Sequence, residues 1–147
     1  MSLKIELENA LKDAMRAQDD LRKRTLRMAL ASIHLTEIET KQDMDDPAVM
    51  AALQKEIKTR QESVEEAKKA NRPEMAAATQ AEIEVLQTFL PQPFSPAELE
   101  ELVRTAIAEV GATSARETGQ VMKILMPRLQ GRASGSEANQ VLRRLLG

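Results

Sequence analysis

The sequence predicts an all-α protein built from two parts. All five glycines lie at or after Gly111, and the first 110 residues contain none. Pro91, Pro93 and Pro96 lie within one short segment. Proline lacks an amide donor and restrains the residue before it, so no helix should cross this segment. Because no stretch alternates with the strand period of two, we expect a long N-terminal helical hairpin or bundle over residues 1–93 and a small three-helix C-terminal domain over residues 94–147.

Four helices are expected in the first part. Ser2 is a candidate N-cap for the first, Asp19 with Asp20 for the second, and Asp46 for the third, where Pro47 takes the first helical position. Residues 71–73, Asn-Arg-Pro, separate the third helix from the fourth. The apolar residues of the third helix are spaced as in a heptad repeat, and Arg60 stands at the position of that repeat where an apolar residue is missing. The predicted inward faces are Leu3, Leu7, Leu11 and Met15; Leu26, Leu30, Ile33 and Ile38; Met50, Leu53, Ile57, Val64 and Ala67; and Met75, Thr79, Ile83, Leu86 and Leu90.

Each helix of the second part has a capping-box start. A serine is followed three residues later by glutamate in the pairs Ser95/Glu98, Ser114/Glu117 and Ser134/Glu137. Phe94 and Leu99 are placed to form a hydrophobic staple on the first of these helices. Gly111 is a natural terminator of that helix, and Pro127 with Gly131 should end or bend the next one. The helices then carry apolar faces of Leu99, Leu102, Val103, Ala106 and Val110; Val121, Met122, Leu125 and Met126; and Val141, Leu142, Leu145 and Leu146.

Composition excludes several classes of function. The 21 basic and 23 acidic residues give a net charge of −2, which does not indicate a polyanion partner. There is no cysteine and one histidine, so thiolate nucleophiles, cysteine-ligated metals and multi-histidine zinc sites are excluded. The aromatic residues are two phenylalanines, with no Trp or Tyr. Two rings are too few for an aromatic cage or for a surface on which RNA bases stack. We therefore expect no cofactor and no metal. Because no 18-residue apolar run or secretory leader pattern occurs, we also expect no membrane association and a cytoplasmic location.

Individual motifs give no catalytic centre. Residues 131–135, Gly-Arg-Ala-Ser-Gly, fit neither a nucleophile elbow nor a phosphate loop, so we interpret their glycines as turn residues with positive φ. His34 lacks a recognisable partner or pocket and is interpreted as an exposed helix residue. The acidic residues around 37–46 lack EF-hand spacing and indicate a solvated loop. Glu37 and Lys41 have the spacing of an i,i+4 helix-surface pair.

Basic residues are concentrated at the C-terminus. Residues 112–147 contain six basic and two acidic side chains, a local charge of +4. Spacing alone favours a solvated surface, and the functional alternative is a contact with an RNA backbone. Helix-terminal amides at Ser114 and Ser134 would add donors for phosphate oxygens. The basic residues are Arg116, Lys123, Arg128, Arg132, Arg143 and Arg144.

The same segment carries a family resemblance. Residues 119–127 read Gly-Gln-Val-Met-Lys-Ile-Leu-Met-Pro, and residues 131–136 read Gly-Arg-Ala-Ser-Gly-Ser, followed by Asn139. This pattern resembles the GatB/YqeY family, whose motif is G-x-V-M-x-x-L-M-P followed by G-x-A-D-G and an asparagine. Ser134 stands where that family usually has Asp, and Thr118 where Met is commoner. The resemblance extends upstream through residues 109–112, 98–99, 90–91 and 26–28, and is closest to the free-standing YqeY-like proteins.

The resemblance implies an all-helical protein with a tRNA connection. A similar domain forms the tail of the B subunit of the glutamine-dependent aminoacyl-tRNA amidotransferase, where it contacts tRNA, and similar modules are fused to some glutaminyl-tRNA synthetases. Carried over by position, Lys123, Arg132 and Asn139 occupy motif positions. Their neighbours Arg128, Arg143 and Arg144 are added by charge. These six residues form the predicted nucleic-acid contact set.

Three functions follow as expectations. The first is a non-catalytic tRNA-binding or tRNA-metabolism accessory protein, with a synthetase or amidotransferase as a candidate protein partner. The second is a helical protein-interaction module without RNA affinity, based on the long third helix. The third, implied by the resemblance alone, is an amidotransferase-like carbon–nitrogen ligase that uses glutamine as amide donor. The sequence offers no cysteine nucleophile, recognisable Ser-Lys pattern or phosphate loop for that chemistry, so no catalytic residue is predicted.

Overall fold

The computed structural model describes residues 2–147, and over this range every regular element is a helix. The all-α prediction is therefore confirmed. The chain divides into two compact units, Met1–Pro91 and Gln92–Gly147, so that Gln92 and Pro93 belong to the second unit. The first unit contains α1 (Leu3–Arg16), α2 (Asp20–Thr40), α3 (Asp46–Lys69) and α4 (Pro73–Gln87); the second contains α5 (Pro96–Val110), a 3-10 turn (Ala115–Glu117), α6 (Thr118–Leu129) and α7 (Gly135–Leu146).

Side-chain caps set the starts of four helices as predicted. Ser2, Asp19, Ser95 and Ser134 each accept a hydrogen bond from the backbone amide three residues later, at 3.1–3.2 Å. At α5 the capping box is complete, because Glu98 Oε1 also accepts from the Ser95 amide at 3.1 Å. These caps satisfy amides that have no partner within their own helix.

The predicted cap of α3 is wrong by one residue. Asp45, not Asp46, is the N-cap, and its Oδ1 accepts from the Ala48 amide at 3.0 Å. Asp46 Oδ1 accepts instead from the Leu3 amide at 2.9 Å, 43 residues away in sequence. Asp46 therefore caps the start of α1, which is distant in sequence. Its position ahead of Pro47 had suggested that it would cap the start of α3 instead.

The predicted capping box at Ser114 does not form. Ser114 makes no side-chain cap hydrogen bond, and residues 115–117 form a 3-10 turn before α6 starts at Thr118. The Glu117 carboxylate accepts from the Thr113 amide at 3.1 Å. Pro127 does not stop α6, which contains this proline and continues to Leu129.

The first unit packs its four helices around one apolar core. Met15, Ile38 and Met75 were predicted to face inward but are 47%, 73% and 52% exposed. Arg60, at the gap in the α3 heptad, is buried, with its guanidinium 2.7 Å from the Glu56 carboxylate and 3.8 Å from that of Glu82. The largest fully buried apolar side chains of this unit are Leu7, Leu26, Ile33, Leu53, Ile83, Leu86 and Val49.

The second unit has its own core, formed by α5, α6 and α7. Gly131 has a φ of +75°, as expected for a turn glycine. Gly135, expected to have the same role, is helical, and a Cβ there would lie 3.1 Å from Met126 Sδ, so it permits a close approach of α7 to α6. Phe94 packs against this core together with Leu99. The fully buried side chains of the unit include Val103, Val121, Leu125 and Leu142.

Candidate nucleic-acid interface

The six residues of the predicted contact set lie on α6, α7 and the segment between them. Lys123 is exposed on α6, on the side opposite the buried Val121 and Leu125. Arg128 lies in the last turn of α6, and Arg132 follows in the connecting segment. The other three, Asn139, Arg143 and Arg144, lie on α7.

Three arginines of the contact set, Arg128, Arg132 and Arg144, are paired with glutamates of α5. Arg128 forms a short ion pair with Glu109. Arg144 lies 3.5 Å from Glu100, whose carboxylate also binds Arg104 at 2.6 Å. Because each carboxylate already supplies the negative charge that a phosphate would supply, these arginines contribute less to an RNA-binding surface than their number suggests.

Arg132 is held within the second unit by three contacts. Its Nε donates to the Gln92 carbonyl oxygen at 2.9 Å, and a terminal nitrogen lies 3.4 Å from Glu98 Oε2. Its guanidinium carbon lies 4.1 Å from the centre of the Phe94 ring, a cation–π distance. The Phe94 amide in turn donates to the Arg132 carbonyl oxygen at 3.0 Å. Arg132 therefore links the first residues of the second unit, Gln92 and Phe94, to the segment that connects α6 with α7.

Three cations of the second unit have no carboxylate within ion-pair distance among residues 2–147. They are Arg116 in the 3-10 turn, Lys123 on α6 and Arg143 on α7, and all three are exposed. An exposed cation without a carboxylate partner can exchange its water and counterions for a phosphate oxygen. These three exposed cations make up the candidate interface.

Asn139 differs from the basic members of the set. Its Oδ1 is buried and has no hydrogen-bond partner in the part of the chain that the structure describes. A buried acceptor without a donor is destabilising by roughly 1–3 kcal/mol. The Asn139 side chain therefore offers no carbonyl oxygen to solvent, although the residue as a whole is half-buried.

The paired glutamates remain charged to a lower pH than ordinary carboxyl groups. The hydrogen bond from Arg128 lowers the pKa of Glu109, and the one from Arg104 followed by the charge of Arg144 lowers that of Glu100. The pKa of Glu98 is lowered mainly by the hydrogen bonds from Ser95. All three carboxylates are therefore charged at neutral pH.

The helix-terminal amides considered as phosphate donors are already in use or absent. The Glu137 amide at the start of α7 donates to Ser134 Oγ at 3.1 Å, and Glu137 places an acidic side chain in the same turn. At Ser114 the helical element is a three-residue 3-10 turn. Neither terminus adds to the candidate interface.

His34 forms part of a structural contact in the first unit. Its Nδ1 lies 3.3 Å from Glu37 Oε1, and the same carboxylate accepts from Lys4 Nζ at 2.8 and 2.9 Å and from the Met44 amide at 2.9 Å. The expected pairing of Glu37 with Lys41 is wrong, because Lys41 is the left-handed C-cap of α2. Glu37 instead joins α1, α2 and the segment that follows α2.

Residues 2–147 show neither a metal-ligand cluster nor a membrane-spanning helix. No group of three or more histidine, aspartate or glutamate side chains is arranged to hold a metal ion. None of the helices in this range combines the length and apolar character that a bilayer span needs.

Comparison with known sequences assigns the family. Residues 4–146 match the family described as Yqey-like protein, which is nearly the whole chain. The chain belongs to the Yqey-like protein family. The resemblance seen in the 119–139 segment is therefore confirmed at the level of the family.

Relatives carry names that describe no biochemical activity. The chain is 32% identical over 133 residues to Altered inheritance of mitochondria protein 41, mitochondrial, of Pyrenophora tritici-repentis, a match covering 89% of this chain and 73% of the relative. The protein of the same name from Lachancea thermotolerans is 36% identical over 107 residues, covering 71% and 57%. An uncharacterized protein of Schizosaccharomyces pombe is 29% identical over 91 residues, covering 62% and 74%. The matched segments thus span between about half and three quarters of these relatives.

Sequence reasoning missed the residues that neutralise the basic segment. The α5 glutamates Glu109, Glu98 and Glu100 lie 19, 34 and 44 residues from Arg128, Arg132 and Arg144. No short-range spacing signals pairs of this separation. The contact set therefore divides into three restrained arginines, one half-buried asparagine, and the exposed Lys123 and Arg143.

Proposed function

We propose that this protein is a non-catalytic accessory protein that binds folded RNA, tRNA in particular, through its second unit. The observation that carries the proposal is the presence of three exposed cations, Arg116, Lys123 and Arg143, that lack carboxylate partners among the described residues. The choice of tRNA rests on the resemblance to the tail domain of the amidotransferase B subunit. A cytoplasmic location, and a synthetase or amidotransferase as protein partner, are part of the same proposal.

Recognition would use the RNA backbone and its shape. Phe89 packs against the first core, and Phe94 is stacked by Arg132, so neither ring is free to stack on a base. Phosphates and 2′-hydroxyls remain as the groups that cations and polar side chains can contact. Such binding suits a folded RNA and predicts little dependence on base sequence.

The salt dependence of tRNA binding tests the proposal. Each phosphate contact releases counterions and makes the slope of log K against log salt concentration more negative by about 0.7–0.9. Three contacts should therefore lower log K by roughly 2–3 for each tenfold rise in salt. Between about 50 and 200 mM salt the affinity for labelled tRNA should fall roughly 20- to 40-fold. Undetectable binding, or binding that salt does not weaken, would reject the proposal.

Single substitutions locate the contact. Lys123→Ala and Arg143→Ala should each make the fall of log K with log salt concentration shallower by about 0.7–0.9. Arg104→Ala is the matched control, because it removes one positive charge from the same unit at a residue already bound to Glu100. Equal effects of all three variants would indicate a response to net charge without local contacts.

The two alternatives have weaker support. The α3 stripe proposed for a protein partner, including Leu53, Ile57 and Val64, is buried in the first core. Glutamine-dependent ligation gains no support from any side-chain arrangement described above. The purified chain should release no ammonia from glutamine, and measurable release would overturn the non-catalytic assignment.

A further inference from the structure

The first unit has an apolar groove between α1 and α2, separate from the proposed RNA-binding residues. It encloses about 550 Å³, with Leu11 and Met15 on the α1 side and Leu30 and Ala31 on the α2 side. Leu30 is buried and forms part of the core, whereas Met15 is 47% exposed. A partner that packed against this apolar floor would remove its exposed apolar atoms from water, which favours binding.

The apolar surface continues beyond the groove toward one end of the helix pair. Lys4 of α1 pairs with Glu37 of α2, so the start of α1 lies beside the end of α2 and the two helices are antiparallel. At 100° per residue, Ile38 lies on the same face of α2 as the groove-lining residues, and Ile5 lies on the corresponding side of α1. Ile5 is 46% and Ile38 73% exposed. From Ile5 to Met15 the strip is about 15 Å long, or nearly three helical turns.

The rim of the groove carries an excess of positive charge. Lys12 stands on α1 and Arg27 on α2, and neither forms an ion pair with a carboxylate of residues 2–147. Glu8 is the one acidic residue lining the groove, and His34 completes the polar rim. A ligand with acidic groups on both sides of an apolar ridge therefore complements this surface.

We infer that the α1–α2 groove binds an amphipathic α-helix of a partner protein, with an apolar stripe flanked by acidic residues. A helix satisfies its own backbone hydrogen bonds, so it can lie on an apolar floor that has no sheet edge to pair with. A third helix between two antiparallel ones also gives ordinary ridge-into-groove packing. A second copy of this chain fits less well, because two identical grooves would face each other with the same excess of cations.

Designed peptides test the docking site directly. Two helix-forming peptides of about 14 residues share one leucine stripe and differ in their flanking residues, which are glutamate in one and lysine in the other. A third peptide has the composition of the acidic one in a scrambled order that breaks the stripe. Binding to the full chain is measured by fluorescence anisotropy of the labelled peptide. The acidic peptide should bind at least about tenfold more tightly than the basic one, and the scrambled peptide should not bind. The double variant Lys12→Glu/Arg27→Glu should reverse the preference.

Exposed positions supply variants that keep the fold. Met15→Glu and Ile38→Glu should each weaken binding of the acidic peptide about tenfold or more, because each places a charge on the apolar strip. Met75→Glu is the matched control. Met75 lies on α4, outside the groove, and is 52% exposed, close to the 47% exposure of Met15. All of these variants should leave tRNA binding unchanged, which separates failure of this inference from failure of the proposed function.

Several results would overturn the inference. One is that the acidic peptide does not bind at concentrations up to about 1 mM. Another is that the acidic and basic peptides bind equally tightly. A third is that Met75→Glu and Ile38→Glu weaken binding of the acidic peptide to the same extent. Sedimentation of the wild-type chain as a dimer that Ile38→Glu dissociates would assign the groove to a second copy. Binding of anionic lipid vesicles that Ile38→Glu abolishes would assign it to a membrane surface. Either outcome would also reject a helical partner.

Discussion

Removing the Glu109 carboxylate should increase the affinity of the protein for tRNA. Glu109 binds Arg128 in an ion pair whose side chains are 47% and 39% exposed, so both are within reach of a ligand. In Glu109→Gln the guanidinium loses its charged partner and becomes available to a phosphate. The number of phosphate contacts should then rise from three to four.

The size of the effect follows from counterion release. One additional contact should steepen the salt dependence of log K by about 0.7–0.9. Relative to a reference near 1 M salt, this corresponds to about tenfold tighter binding at 50 mM salt and about three- to fourfold at 200 mM. The assay is titration of labelled tRNA at four or more salt concentrations, with wild type and variant compared by slope.

Glu101→Gln provides the matched control. Glu101 lies on the same helix, is exposed, and forms no ion pair with the other described residues. Both substitutions remove one negative charge from α5, but only Glu109→Gln frees an arginine. A slope unchanged in Glu109→Gln, or the same increase in both variants, would refute the idea that α5 restrains the basic surface.

Three further predictions concern stability, each measured by urea unfolding followed through helical circular dichroism. Leu142→Ala, at a fully buried position, should destabilise the second unit by about 2–5 kcal/mol, and a loss below about 1 kcal/mol would contradict the assigned core. Gly111→Ala should cost about 1 kcal/mol because φ is +72° there, whereas Gly119→Ala, in a helix with open space around it, should be neutral or slightly stabilising. The hydrogen bonds from Lys4 and then Met44 lower the pKa of Glu37 below its ordinary value of 4.5, so its contribution is present above that pH and lost as the pH falls through the lowered pKa. Glu37→Gln should therefore be destabilising at pH 7 and less so as the pH falls below 4.5, and a difference that does not shrink in acid would contradict this linkage.

Local features of the fold could be predicted from the sequence. The caps at Ser2, Asp19, Ser95 and Ser134 join atoms three residues apart, and helical geometry alone brings such atoms together. The glycine and proline distribution likewise placed a division near Pro91. These predictions depend on backbone conformation over a few residues, which the residue types restrict directly.

Long-range partners were the common cause of the errors. Asp46 was predicted to cap its own helix and bonds to Leu3, 43 residues away. Glu37 was paired with Lys41 and binds Lys4, 33 residues away. In each case the local pattern allowed one partner, and helix packing supplied a closer one.

The candidate interface divides in the same way. The sequence by itself located a basic, family-typical segment after residue 112 and excluded cysteine chemistry, because composition and motif order need no coordinates. Only the tertiary structure decided which of its cations are free: Arg128 and Arg144 are held by Glu109 and Glu100, whereas Lys123 is not. Ion pairing depends on distances of a few ångströms between side chains on different helices, and those distances are set by how α5 packs against α6 and α7.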